Sequence, residues 1–147
     1  MKKIFLFVIA AFSFASLCAQ NADFVTQIID AENLSYAQAS YLCAVQKGVA
    51  SEDASFEEAY QALEKDLFGS VKHNADDSIK LCDAAYLLAQ TWNVKSSFMY
   101  CIFKTPRYAF NMLKADKIVD ENADPAKKIS GHEFLNMFSS CLDKYGE

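Results

Sequence analysis

The chain has 147 residues, 52% of them hydrophobic and 22% charged, and a net charge of −5 at neutral pH. That is too apolar for a disordered protein, and 2 Pro and 4 Gly exclude collagen-like and proline-rich classes. The length fits one domain, and the acidic balance argues against generic nucleic-acid binding.

The first segment reads as an address. Lys2 and Lys3 precede an apolar run from Ile4 to Leu17, and the polar stretch Gln20-Asn21-Ala22-Asp23 follows. This is the layout of a secretory signal peptide over residues 1–19, with cleavage expected after Ala19. Cys18 offers the alternative of a lipid-anchored N-terminus, although Leu17 stands where a lipoprotein signal has a small residue. Without residues 1–19 the chain keeps 12 basic against 19 acidic residues, a net charge of −7. No later apolar run reaches the roughly 20 residues of a membrane span, so no transmembrane helix is expected in the mature chain. The expected location is periplasm or cell surface.

Residues 20–33 read as a lead-in and 34–147 as an all-α domain of about six helices. Ser35-Tyr36-Ala37-Gln38, Ser55-Phe56-Glu57-Glu58 and Ser130-Gly131-His132-Glu133 fit the capping box, and Thr105-Pro106 puts proline at a first helical position. Behind these starts, Phe56, Ala59, Tyr60, Leu63 and Leu67 recur at helical spacing, as do Phe134, Met137, Phe138 and Cys141. The spacing predicts helices near 35–47, 55–68, 79–92, 96–104, 105–117 and 131–143.

The helices repeat. At an offset of 45, Ala39, Tyr41, Leu42, Ala44 and Val49 match Ala84, Tyr86, Leu87, Ala89 and Val94. At an offset of 50, Ala59, Leu63 and Asp66 match Ala109, Leu113 and Asp116, with Tyr60 against Phe110. A third unit begins at Ile129. Pseudo-repeats of this period imply stacked helical units over a shared core, with one extra helix in the second unit. The alternation resembles S-layer homology repeats, in which a T-R-A-E tetrapeptide opens one helix of each unit. The corresponding stretches are Ser35 to Gln38, Lys80-Leu81-Cys82-Asp83 and Ser130 to Glu133, and none has the arginine. The resemblance covers most of 34–142 and implies an exported helical module that meets an anionic cell-wall polymer.

Cys43, Cys82, Cys101 and Cys141 allow two disulfides or four buried thiols, and no C-x-x-C spacing points to zinc. His73 with Asp76 and Asp77 reads as a solvated loop. Asp120-Glu121-Asn122-Ala123-Asp124 imitates a calcium loop, but Pro125 sits where the sharp turn needs glycine, so it reads as an acidic connection. Glu57, Glu58, Glu64 and Asp66 read as a solvated helix face. No catalytic set, cofactor motif or metal site emerges, and the chain reads as non-enzymatic.

The least ordinary stretch is Trp92 to Lys117. Lys95, Lys104, Arg107, Lys114 and Lys117 face only Asp116, a net +4 interleaved with aromatics. Arg107 opposes the dipole of the helix it opens. Lys104, Arg107 and Lys114 are therefore the candidate contacts to an envelope protein or anionic cell-wall polymer, and a membrane surface is a further option. Arg107 and Lys114, seven residues apart, fall on one helix face. The competing expectation is a structural periplasmic protein or lipoprotein within a larger complex, and an enzyme of unrecognised type stands third.

Overall fold

Helix caps and a ring of three buried residues organise the chain. The computed structural model describes residues 22–64 and 73–146. The expected signal peptide, with Cys18 and Ala19, lies outside the described residues, as do Asp66 and Leu67. The helices are α1 (residues 22–29), α2 (Tyr36–Gln46), α3 (Phe56–Leu63), α4 (Leu81–Thr91), α5 (Phe98–Ile102), α6 (Pro106–Ala115) and α7 (Gly131–Tyr145). The fold is all-α: among the described residues there is no strand, only two isolated bridges, Ser35 with Ser78 and Lys80 with Lys128. None of the described helices is long and apolar enough to cross a membrane.

All three expected capping boxes form. Ser35 Oγ accepts the Gln38 N–H at 3.1 Å while Gln38 Oε1 accepts the Ser35 N–H at 3.1 Å, and Ser55 with Glu58 and Ser130 with Glu133 do the same. Three helices end alike as well. After α2, α4 and α6 the chain turns left-handed at Gly48 (φ 69°), Asn93 (φ 48°) and Lys117 (φ 62°). The next N–H then reaches back to the helix: Val49 to Ala44 O at 3.0 Å, Val94 to Ala89 O at 2.9 Å, Ile118 to Leu113 O at 2.9 Å. This closing motif satisfies carbonyls that the helix end would leave orphaned. The matched pair Val49 and Val94 therefore marks the same geometric position in two repeats.

The repeats meet at Leu34, Ile79 and Ile129, one residue before Ser35, Lys80 and Ser130, and all three are fully buried. The Ile79 N–H donates to Leu34 O and the Leu34 N–H to Ile129 O, both at 2.8 Å. Each following helix donates its first N–H to the lead of another unit: Tyr36 to Asp77 O at 3.0 Å, Leu81 to Lys127 O at 2.8 Å and Gly131 to Ala31 O at 2.8 Å. The second N–H repeats the pattern in two units, Ala37 to Ala75 O at 2.9 Å and Cys82 to Pro125 O at 3.0 Å. Backbone groups buried at the centre are thereby satisfied between units rather than within them.

α2 and α4 are alanine-rich and buried around most of their circumference, which puts them at the centre. α3 packs on α2 and α6 on α4, each burying one apolar face. The stretch expected to be a lead-in contains α1. Phe24 packs on Tyr41 and Phe56, with ring centroids 5.5 and 4.9 Å apart, and Ile28 is fully buried. The four described cysteines are all free thiols, but only Cys43 and Cys141 are buried; Cys82 is half-buried and Cys101 exposed, against the expectation of four buried thiols.

Candidate functional site

A groove of about 680 Å³ opens where the start of α4, the start of α6 and residues 125–126 converge. Its polar contribution comes from Lys80, Arg107, Asn111 and Thr105, and its apolar wall from Pro106, Phe110 and Pro125. Among the described residues, no acid lines it. Thr105 caps α6, its Oγ1 accepting the Tyr108 N–H at 3.5 Å, and Pro106 fixes the first turn. Arg107 thus projects, exposed, from a rigid helix start.

Three local preferences are broken at this groove. Lys80 occupies the cap position of α4, where the other two units have Ser35 and Ser130, and it provides no side-chain cap. Replacing a capping hydroxyl costs about 1 kcal/mol. Lys80 and Arg107 both place positive charge at a helix N-terminus, against the dipole. Lys80 also stands opposite Lys128 across an isolated antiparallel bridge, where like charges repel. Breaches of local preference that converge on one cleft mark function more often than chance.

The equivalent groove between the first two units, about 870 Å³, has diverged. Glu57, Tyr60, Gln61, Ala75 and Asp76 hold the positions of Arg107, Phe110, Asn111, Pro125 and Ala126. The scaffold is shared and the charge is reversed.

Of the three candidate contacts Lys104, Arg107 and Lys114, only Arg107 lines the basic groove. Lys104 is exposed three residues before it. Lys114 is half-buried, with Nζ 5.7 Å from the centre of the Phe110 ring, so its charge rests on the aromatic beneath it. In the sequence Lys80 stood only as the first residue of the stretch set against the T-R-A-E tetrapeptide. The aromatics divide: Tyr100 and Phe110 are buried, Tyr108 stacks on Phe103 at 5.9 Å, and Phe98 lies open. Asp116, the one acid of that stretch, is a structural tie. It accepts hydrogen bonds from Tyr145 and from Ser96 (2.8 Å), and Lys144 lies 3.1 Å away. Burial pushes its carboxyl up, but these hydrogen bonds and the Lys144 charge outweigh that and hold it below its usual range.

The one sulfur in the groove, Cys82, is pushed up by burial and then by the Asp83 carboxylate, so it is a neutral thiol at neutral pH. His73 differs from its expected solvated state: its ring stacks on Tyr36 at 4.4 Å and its carbonyl accepts the Tyr60 hydroxyl at 2.6 Å. Asp120 and Asp124 accept the N–H groups of Asn122 (2.7 Å) and Ala126 (2.9 Å), so these carboxylates build turns in the acidic connection. A third groove of about 560 Å³ beside α7 contains them with Glu133, which is already engaged in its capping box and with Lys127 at 2.6 Å. Comparisons with protein-family models, curated proteins and solved structures returned no match.

Proposed function

We propose that the chain is an exported, non-enzymatic helical module that binds an anionic component of the cell envelope in the groove between its second and third units. The observation that carries this reading is the presence of Lys80 and Arg107 together in a cleft that no acid among the described residues lines, on a chain that is otherwise acidic. Both cations sit where they weaken their own helices, and an anionic ligand offsets that cost. Pro106 and Pro125, backed by the buried Phe110, offer an apolar wall for a sugar ring or peptide backbone. The resemblance to S-layer homology repeats favours a cell-wall polymer over an envelope protein. Lys104 extends the positive rim, and Lys114 lies further along the same helix.

The test is capture of envelope and cell-wall fractions by the purified protein. The wild type is expected to bind, less so as salt rises, because exposed charge contacts are screened over about 8–10 Å at physiological ionic strength. Lys80→Ala with Arg107→Ala is expected to weaken binding roughly tenfold or more, with melting no lower than that of wild type and slightly raised by relief of the dipole clash. Undiminished capture by that variant would remove the groove from the account.

A further inference from the structure

α5 has no counterpart in the first unit. There the chain passes from α2 to α3 through residues 47–55, whereas residues 92–105 join α4 to α6 and contain α5. The core takes only Tyr100 from α5. Its other large side chains, and Phe103 just after it, face outward: Phe98 is 77% exposed, Ile102 55%, Phe103 52% and Met99 42%. Phe98 and Ile102, four residues apart, lie on one face of the helix, and Phe103 follows directly after its end. Exposed apolar groups gathered this closely mark a contact surface. Lys95 and Lys104 flank the helix, both exposed, and residues 84–115 contain no Asp or Glu at all.

We infer that α5 is a membrane-surface contact, with Phe98, Ile102 and Phe103 entering the headgroup boundary of an anionic bilayer and Lys95 and Lys104 meeting its phosphates. An apolar wedge between cations has this complementarity. A polysaccharide can lay a sugar face on Phe98, but it offers no apolar phase for Ile102 and Met99 to enter. A symmetric dimer through α5 would set Lys95 and Lys104 against their own copies, and like charge opposes that pairing. The inference does not depend on the Lys80–Arg107 groove, because neither Phe98 nor Ile102 lines it.

The test is co-sedimentation of the purified protein, in its native N-terminal form, with vesicles of phosphatidylglycerol and phosphatidylcholine in equal amounts, against phosphatidylcholine alone. Every variant is compared with wild type in that same form. Wild type is expected to bind the anionic vesicles preferentially. Phe98→Ser with Ile102→Ser should weaken binding about tenfold per residue. Lys95→Ala with Lys104→Ala should weaken it about fivefold per lysine. Lys80→Ala should leave it unchanged, so loss of groove binding and loss of vesicle binding are separable. No preference for anionic vesicles, or full binding by the serine variant, would overturn the inference. So would a dimer of the wild type that the serine variant dissolves, which would assign the surface to a second copy. Should the serine variant melt lower than wild type, Phe98→Trp decides: its added emission must shift to the blue with anionic vesicles, and an unshifted spectrum refutes the contact.

Discussion

Gly131→Ala should destabilise this protein, although alanine is the better helix former. Gly131 opens α7, directly after its cap Ser130. A Cβ there would lie 1.5 Å from the Ile28 carbonyl oxygen and 2.6 Å from the carbonyl carbon. Both are backbone atoms, so no side-chain rotation relieves the clash, and α1 must move by about 2 Å to restore contact at the usual separation of about 3.5 Å. That movement breaks the Gly131 N–H bond to Ala31 O and uncovers the fully buried Ile28. Exposing an isoleucine costs about 1.5–3 kcal/mol and the hydrogen bond about 1 kcal/mol. Against this stands a propensity gain of at most about 1 kcal/mol. The balance is a loss of about 2–3 kcal/mol, or roughly 10 °C in melting temperature for a domain of this size. Far-UV circular dichroism during heating and in urea measures it. Ile28→Ala should add little to Gly131→Ala, because both act through α1. A rise in melting temperature for Gly131→Ala would refute the packing of α1 against α7.

Lys117 keeps a left-handed backbone that costs a side-chain-bearing residue about 1 kcal/mol or more. Lys117→Gly is therefore expected to raise the melting temperature by a few degrees, while Gly48→Ala at the matching turn lowers it; the opposite order would contradict the shared helix ending. Asp116, whose carboxyl is held below its usual range, contributes stability that is fully present above its unfolded value of about 3.9 and is lost as pH falls through the lower folded value. Asp116→Asn should thus be destabilising at neutral pH, with a deficit that shrinks in urea titrations as the pH drops toward 2; a deficit independent of pH would mean that the charge on Asp116 contributes nothing.

Local signals made most of the helical frame readable. Ser35, Ser55, Ser130 and Thr105 each satisfy an orphan N–H within three residues, so a sequence pattern suffices to place them. The matched residues at offsets of 45 and 50 are buried in both units at Ala39 and Ala84, Ala44 and Ala89, Ala59 and Ala109, and Leu63 and Leu113. α1 was not legible, because its place depends on Ile28 reaching a notch left by Gly131, a contact between residues over a hundred positions apart. In the candidate site, Arg107 stood out by opposing its helix dipole. Lys80 gained meaning only when the packing of α6 on α4 brought the starts of the two helices to one groove. The helical spacing of Lys114 did not reveal that Phe110 would hold its ammonium. Nor could periodicity separate the buried Tyr100 from the open Phe98 on so short a helix.

The two equivalent grooves provide an internal control for the central claim. Amide spectra of the isotope-labelled protein, titrated with a solubilised anionic cell-wall polymer, report on both at once. The account predicts shifts at Lys80, Arg107, Asn111 and Ala126, fading as salt rises, with Glu57, Gln61 and Asp76 unmoved. Shifts at the acidic groove instead, or equal small shifts at both, would contradict it.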